Sequence, residues 1–199
     1  SQLFQDPATT SAVTSDKGYI IESQDVIYVS IRMKAGGNAQ AGALVSKGEN
    51  ALGKIFRIGT YDNKGSSISN NYLNFFSVMA TEDNTSVDLT NNNISGLVIQ
   101  NYGGQFPVED IILNKGESYT VALQANDATL NLDGLIGTLV SSDKPVVVNS
   151  GSANGSFGTG GARDYGIDQI VGLDKVGKEY IFVKGEGQDS YENVLIVAH

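Results

Sequence analysis

Short stretches of alternating or continuous apolar residues, separated by Gly, Asn and Asp, run through most of this chain, and helical periodicity is scarce. Within residues 26–33, Ile27, Val29, Ile31 and Met33 fall on one side while Tyr28, Ser30 and Arg32 fall on the other. That alternation predicts a strand with one buried face. Residues 54–61 alternate in the same way. Residues 73–80 and 193–198 are nearly continuous apolar runs rich in β-branched and aromatic side chains, which predicts central strands covered on both faces. Further strands are expected at 19–21, 86–89, 95–100, 110–113, 118–124, 135–140 and 146–149. Asp62-Asn63-Lys64-Gly65 and Asn114-Lys115-Gly116-Glu117 carry turn chemistry, and Pro145 opens its strand, where a missing N–H is tolerated. The chain reads as all-β. The expected architecture is a repeat-built antiparallel β-sandwich, with a propeller-like arrangement of β repeats as the alternative.

The same words occur twice. Ser23-Gln24-Asp25-Val26-Ile27-Tyr28-Val29, Leu52-Gly53-Lys54-Ile55-Phe56 and Phe75-Phe76-Ser77-Val78-Met79-Ala80 form one series. Ser142-Asp143-Lys144-Pro145-Val146-Val147-Val148, Val176-Gly177-Lys178-Glu179-Tyr180 and Val194-Leu195-Ile196-Val197-Ala198 form the other. The offsets are 119 (24 to 143), 124 (52 to 176) and 118 (80 to 198), so one architectural unit is used again. The expected division is an N-terminal extension at 1–18, a first unit at 19–140 and a second, truncated unit at 141–199. Each copy carries a Gly-rich stretch after its first strand, at 35–43 and 150–163, read as long loops. Gly158-Thr159-Gly160-Gly161 in the second lacks the Lys-Ser/Thr ending of a phosphate loop.

Composition narrows the function classes. A net charge of −9 with no cluster of Lys and Arg argues against nucleic acid and against an anionic membrane surface. The absence of Cys removes disulfides, Cys-ligated zinc and thiol nucleophiles. His199 is the only His and stands last, so neither a Ser-His-Asp triad nor a His-rich metal site can be assembled within the chain. No apolar run approaches the roughly 20 residues that span a bilayer, so no direct membrane insertion is expected.

Among carboxylates, Glu82 with Asp83, Glu109 with Asp110, and the trio Asp164, Asp168 and Asp174 leave a glycoside hydrolase as an alternative. That reaction needs two carboxyls facing each other about 5–9 Å apart in a cleft. No cofactor is expected apart from calcium, for which Asp62, Asn63, Glu82 and Asp83 offer oxygens without the alternating acidic spacing of a dedicated calcium loop. Short polar side chains in such turns also cap their own backbone. Tyr61, Tyr72, Tyr102, Tyr165 and Tyr191 lie in or beside loops, where Tyr can stack on sugars or anchor a protein. The candidate ligand-binding residues are Tyr61, Asp62, Asn63, Arg163, Asp164 and Tyr165.

Several phrases carry a family resemblance: Ala80-Thr81-Glu82-Asp83-Asn84-Thr85-Ser86-Val87, Leu113-Asn114-Lys115-Gly116-Glu117-Ser118-Tyr119, and Leu135-Ile136-Gly137-Thr138-Leu139-Val140-Ser141-Ser142-Asp143-Lys144-Pro145-Val146-Val147-Val148. Together with Gly151, Asp168-Gln169-Ile170 and Val176-Gly177-Lys178-Glu179-Tyr180, they resemble the N-terminal domain of the IgG Fc-binding protein family over residues 20–198. The resemblance implies a non-enzymatic, extracellular β-rich module of the kind found in large exported surface proteins, including those using the type IX route. The chain lacks the Cys residues of the animal pattern near Asp143-Lys144-Pro145, which places it with the bacterial branch. The expected function is an adhesin-like or structural binding module of a larger exported surface protein, contacting protein or glycan through its loops. Other domains of the parent chain or a surface assembly are further partners. An accessory subunit of a secretion or motility assembly is the other non-enzymatic alternative. Cell-surface localisation through a signal peptide absent from this chain is expected.

Overall fold

The computed structural model describes residues 5–34, 41–60, 73–91, 97, 99–123, 133–155, 164–186 and 194–199. Among them the strands are β1 (Val13–Thr14), β2 (Ser30–Lys34), β3 (Ala41–Val45), β4 (Gly53–Arg57), β5 (Asn74–Ala80), β6 (Thr85–Thr90), β7 (Val108–Leu113), β8 (Ser118–Ala122), β9 (Leu139–Gly155) and β10 (Asp164–Ile170). All pairings are antiparallel. The fold is all-β, as the residue pattern predicts.

The 17-residue strand β9 organises the molecule. Its first part pairs β4 on one edge and β6 on the other, with Val140 opposite both Phe56 and Leu89. Further along it pairs β5 and β10, with Val148 opposite Val78 and Ile170. Between these parts the β4 register jumps from Ser141 (opposite Ile55) to Val146 (opposite Gly53), so several β9 residues around Pro145 face almost none of β4. Such an irregularity bends a strand and lets it pass from one sheet layer to another. Strands β4, β6 and β7 thus gather round one end of β9, and β10, β5, β8 and β1 round the other. Phe56, Val87, Leu89, Ile111 and Leu113 from the first group meet Phe76, Val78, Tyr119 and Val121 from the second in one core. The sheet curls nearly into a barrel, and a second small sheet, β2–β3, lies outside it.

The turn at 114–117 forms as read, 62–65 lie outside the described residues, and Pro145, expected to open a strand, sits inside β9, where the register irregularity against β4 spares its missing N–H. Asn84 (φ 53°) turns β5 into β6, and Gly116 (φ 83°) turns β7 into β8. Both residue types accept the left-handed region at little cost. Asp83 Oδ1 accepts from the Lys115 N–H, and the Lys144 ammonium donates to the carbonyl of Asn84 at 3.0 Å.

Several expected elements differ. The Gly-rich stretch read as a loop from 150 continues β9 to Gly155, and β3 begins at Ala41. Gly here serves close approach: a Cβ on Gly151 would lie 1.9 Å from the carbonyl oxygen of Gly166 in β10. Residues 19–21 lie outside any strand and are exposed, and the strand expected at 26–33 forms only from Ser30. Val194, Leu195 and Ile196, expected in a central strand, are likewise exposed and unpaired by any strand ladder among the described residues. A strand needs a neighbour to satisfy its backbone. The sheet itself runs across the expected border at 140/141, and β1, from the expected N-terminal extension, pairs with β8.

Candidate functional site

Strand β5 alternates fully buried and half-buried positions, because Phe76 and Val78 enter the core while Phe75, Ser77 and Met79 point to the opposite face. The same alternation puts Thr120 and Ala122 of β8, Val147 and Asn149 of β9, and Tyr165, Ile167 and Gln169 of β10 on that outer face. Over it lie the β2–β3 hairpin and the chain preceding it. Between the two is a cavity of about 810 Å³, roofed by Met33, Leu44 and residues of 17–29. That size lies within the range of ligand pockets, which are mostly apolar with a few placed polar groups.

The roof is held by specific contacts. A Cβ on Gly42 of β3 would lie 2.5 Å from Cδ1 of Tyr165, so the hairpin backbone rests directly on that ring. The Ala41 N–H donates to Asp164 Oδ1 at 3.2 Å. The Lys47 N–H donates to Gln169 Oε1 at 2.6 Å, and the Lys47 ammonium pairs with Asp168 at 3.1 Å and also reaches the carbonyl of Gln169. On the N-terminal side, a Cβ on Gly18 would lie 2.5 Å from Sδ of Met79.

The cavity wall mixes chemistries. Phe75 and Tyr165 stack with ring centroids 6.1 Å apart and an interplanar angle of 20°. Burial pushes the Tyr165 phenol up to about 12, so it stays neutral across physiological pH. Ser77 Oγ and Thr120 Oγ1 share a hydrogen bond of 2.8 Å. Asn149 also lines the space, but its Oδ1 is buried out of reach of solvent and meets no hydrogen-bond partner among the described residues. The described lining includes no carboxylate; its charged groups are Lys17 and Lys47. The cavity therefore offers no facing carboxyl pair of the sort glycoside hydrolysis requires.

Of the ligand-binding residues expected from sequence, Asp164 and Tyr165 meet at this site, Asp164 as the acceptor that holds the roof and Tyr165 as cavity wall. Tyr61, Asp62, Asn63 and Arg163 lie outside the described residues. Glu82 and Asp83 occupy the β5–β6 turn, where the carbonyl of Glu82 accepts from the Thr85 hydroxyl and the carboxylate of Asp83 from Lys115. Among the described residues no three His, Cys, Asp or Glu side chains gather as metal ligands. Phe75, Met79, Asn149, Ile167 and Gln169 went unnoticed as site residues. A signal existed for the first two, since the run 73–80 predicts a strand covered on both faces. Among the described residues no helix is long and apolar enough to cross a membrane.

The family model for IgGFc binding protein matches residues 41–199. No curated protein matches the chain, and no solved structure does.

Proposed function

The chain belongs to the IgGFc binding protein family, a family of binding domains, and from that premise we propose that it is an extracellular, adhesin-like module of a larger exported surface protein. Its ligand is a protein, and the binding site is the roofed cavity on the outer face of β8–β5–β9–β10. The observation that supports this reading is the cavity itself: about 810 Å³, walled by the Phe75–Tyr165 stack. A folded domain that needed only stability would close such a space, because voids forfeit dispersion contacts. An apolar side chain presented by a loop of the protein ligand matches that aromatic wall.

Biolayer interferometry tests this, with the immobilised chain exposed to IgG Fc fragment and to a panel of extracellular matrix proteins and glycans. Capture of at least one protein is expected. It should be lost in Ser77→Trp, which fills the cavity, and kept in Ile112→Glu, which changes an exposed position of β7. Capture that ignores Ser77→Trp places the site elsewhere. The same series run with chelator decides whether calcium contributes: an unchanged response removes it.

A further inference from the structure

The two copies in the sequence are also two copies in structure, offset by one place in the sheet. A hairpin (β2–β3), a single 3-10 turn (Gly48–Ala51) and β4 follow one another in the first copy. In the second, β9–β10 is followed by the turn Leu173–Lys175 and then by Gly177-Lys178-Glu179-Tyr180, the counterpart of β4. Yet β4 and β5 of the first copy do not pair with their own hairpin; they pair with β9 of the second. The first strand of one unit completes the sheet of the unit before it.

This arrangement leaves two sets of unused positions, and they match. The offset of 119 extends back beyond the shared words, aligning Gly18-Tyr19-Ile20-Ile21 with Gly137-Thr138-Leu139-Val140, so residues 18–34 are a β9-like segment. Its counterparts in β9 are buried: Val140 and Val146 are 0% exposed, whereas the equivalent Ile21 and Ile27 are 57% and 50% exposed. At the other end Tyr180 and Ile196 are 67% and 85% exposed, whereas the equivalent Phe56 and Val78 are 0% and 1% exposed. Strand β2 pairs only with β3, leaving its second edge open among the described residues, as β9 would be without β5. Residues 194–198 meanwhile rest beside the chain that follows β4, since a Cβ on Gly59 would touch Leu195 at 3.1 Å, but among the described residues they join no ladder.

We propose that residues 177–183 and 194–198 of one chain accept residues 18–34 of a second copy of this chain, which adds as the β9-type strand between them. The register follows from the intramolecular pairs. Phe56 opposite Val140 becomes Tyr180 opposite Ile21, and Val78 opposite Val148 becomes Ile196 opposite Val29. Backbone hydrogen bonds supply the affinity of such strand addition, and the alternating side chains supply its register. The contact is heterologous, head to tail, so it propagates in an open series rather than closing as a two-fold dimer.

The chain has no Cys, which makes a mixed cross-linking experiment clean. One preparation carries Ile21→Cys and the other Tyr180→Cys; under mild oxidation the mixture should give a covalent heterodimer that neither gives alone. Sedimentation velocity of the unmodified chain at about 0.15 M salt should show average mass rising with concentration beyond a dimer. Ile196→Asp, at a position exposed in the single chain, should abolish that rise while leaving the melting temperature unchanged. A monomer at every concentration, with no heterodimer from the mixture, overturns the proposal. So does an Ile21→Cys/Tyr180→Cys double variant that closes within one chain, because the segment then pairs with its own partner. Residues 19–29 also line the cavity, so the two readings are separated by variant: Ser77→Trp leaves association intact, and Ile196 lies outside the lining.

Discussion

The two faces of the β8–β5–β9–β10 sheet are built from the same strands and are packed in opposite ways. On the inner face Phe76, Val78, Val121 and Val148 are at most 1% exposed and close-packed. On the outer face Phe75, Ser77, Met79, Thr120 and Asn149 alternate with them along the same strands, yet they border open space under a small two-stranded roof. A period-two strand can thus pack a core with one face and border a cavity with the other, with one residue's shift exchanging them. A two-stranded sheet is marginal by itself, so the roof depends on what it rests on.

Breaking the inner face should cost most. Phe76→Ala should destabilise the chain by about 3–5 kcal/mol, read by chemical denaturation, because it leaves a cavity in a core with no room to relax. Phe75→Ala, one residue away, should cost clearly less in denaturation and more in ligand capture. Equal stability losses for the pair would erase the distinction between the faces.

Next comes the close approach of β9 and β10. Gly151→Ala should cost about 2–3 kcal/mol, since its Cβ meets the Gly166 backbone at 1.9 Å and backbone cannot swing aside. A near-neutral result would mean that β10 can drift away from β9 without loss.

The Tyr165 phenol sharpens the comparison through pH. Its folded value of about 12 exceeds the ordinary 10 because burial disfavours the phenolate. The stability it contributes is full below pH 10 and is lost as pH rises towards 12, since the unfolded chain releases the proton first. The slope Tyr165 adds should stay below about 1.4 kcal/mol per pH unit and should be missing in Tyr165→Phe, measured by denaturation between pH 9 and 11.5, leaving only the smaller dependence of groups such as Tyr119, which burial also raises. The smallest effect belongs to the roof. Gly42→Ala should cost about 1 kcal/mol by pushing on the Tyr165 ring, and should speed amide exchange in β2–β3 while leaving that of β5 and β9 unchanged.

Sequence reading recovered the strands whose patterns were complete: 73–80, 86–89, 110–113 and 118–124 all hold strands at or close to those positions. It named the turn holding Gly116 because turn chemistry is local. Gly151 misled, since a glycine allowing two backbones to approach looks in sequence like a glycine allowing a loop to flex. The cavity was largely invisible for a related reason. It exists where residues 121 positions apart, Leu44 in the roof and Tyr165 in the wall, come to border one space, and no local pattern records that meeting. Of the six residues expected to bind, only Asp164 and Tyr165 fall in the described site, picked out by residue type rather than by geometry. Residues 19–21 and 194–196 have strand pattern without a strand, because pattern states what a segment wants and not whether its neighbour is present.

The most direct test of the outer face as a binding surface uses a single introduced thiol. Ser77→Cys would carry the only thiol of the chain, and a bulky apolar maleimide attached there fills the space under the hairpin. The reagent should react with the folded chain and protein capture should disappear, while the same label on Ile112→Cys should leave capture whole. Full capture by the chain labelled at position 77 would contradict binding at this face.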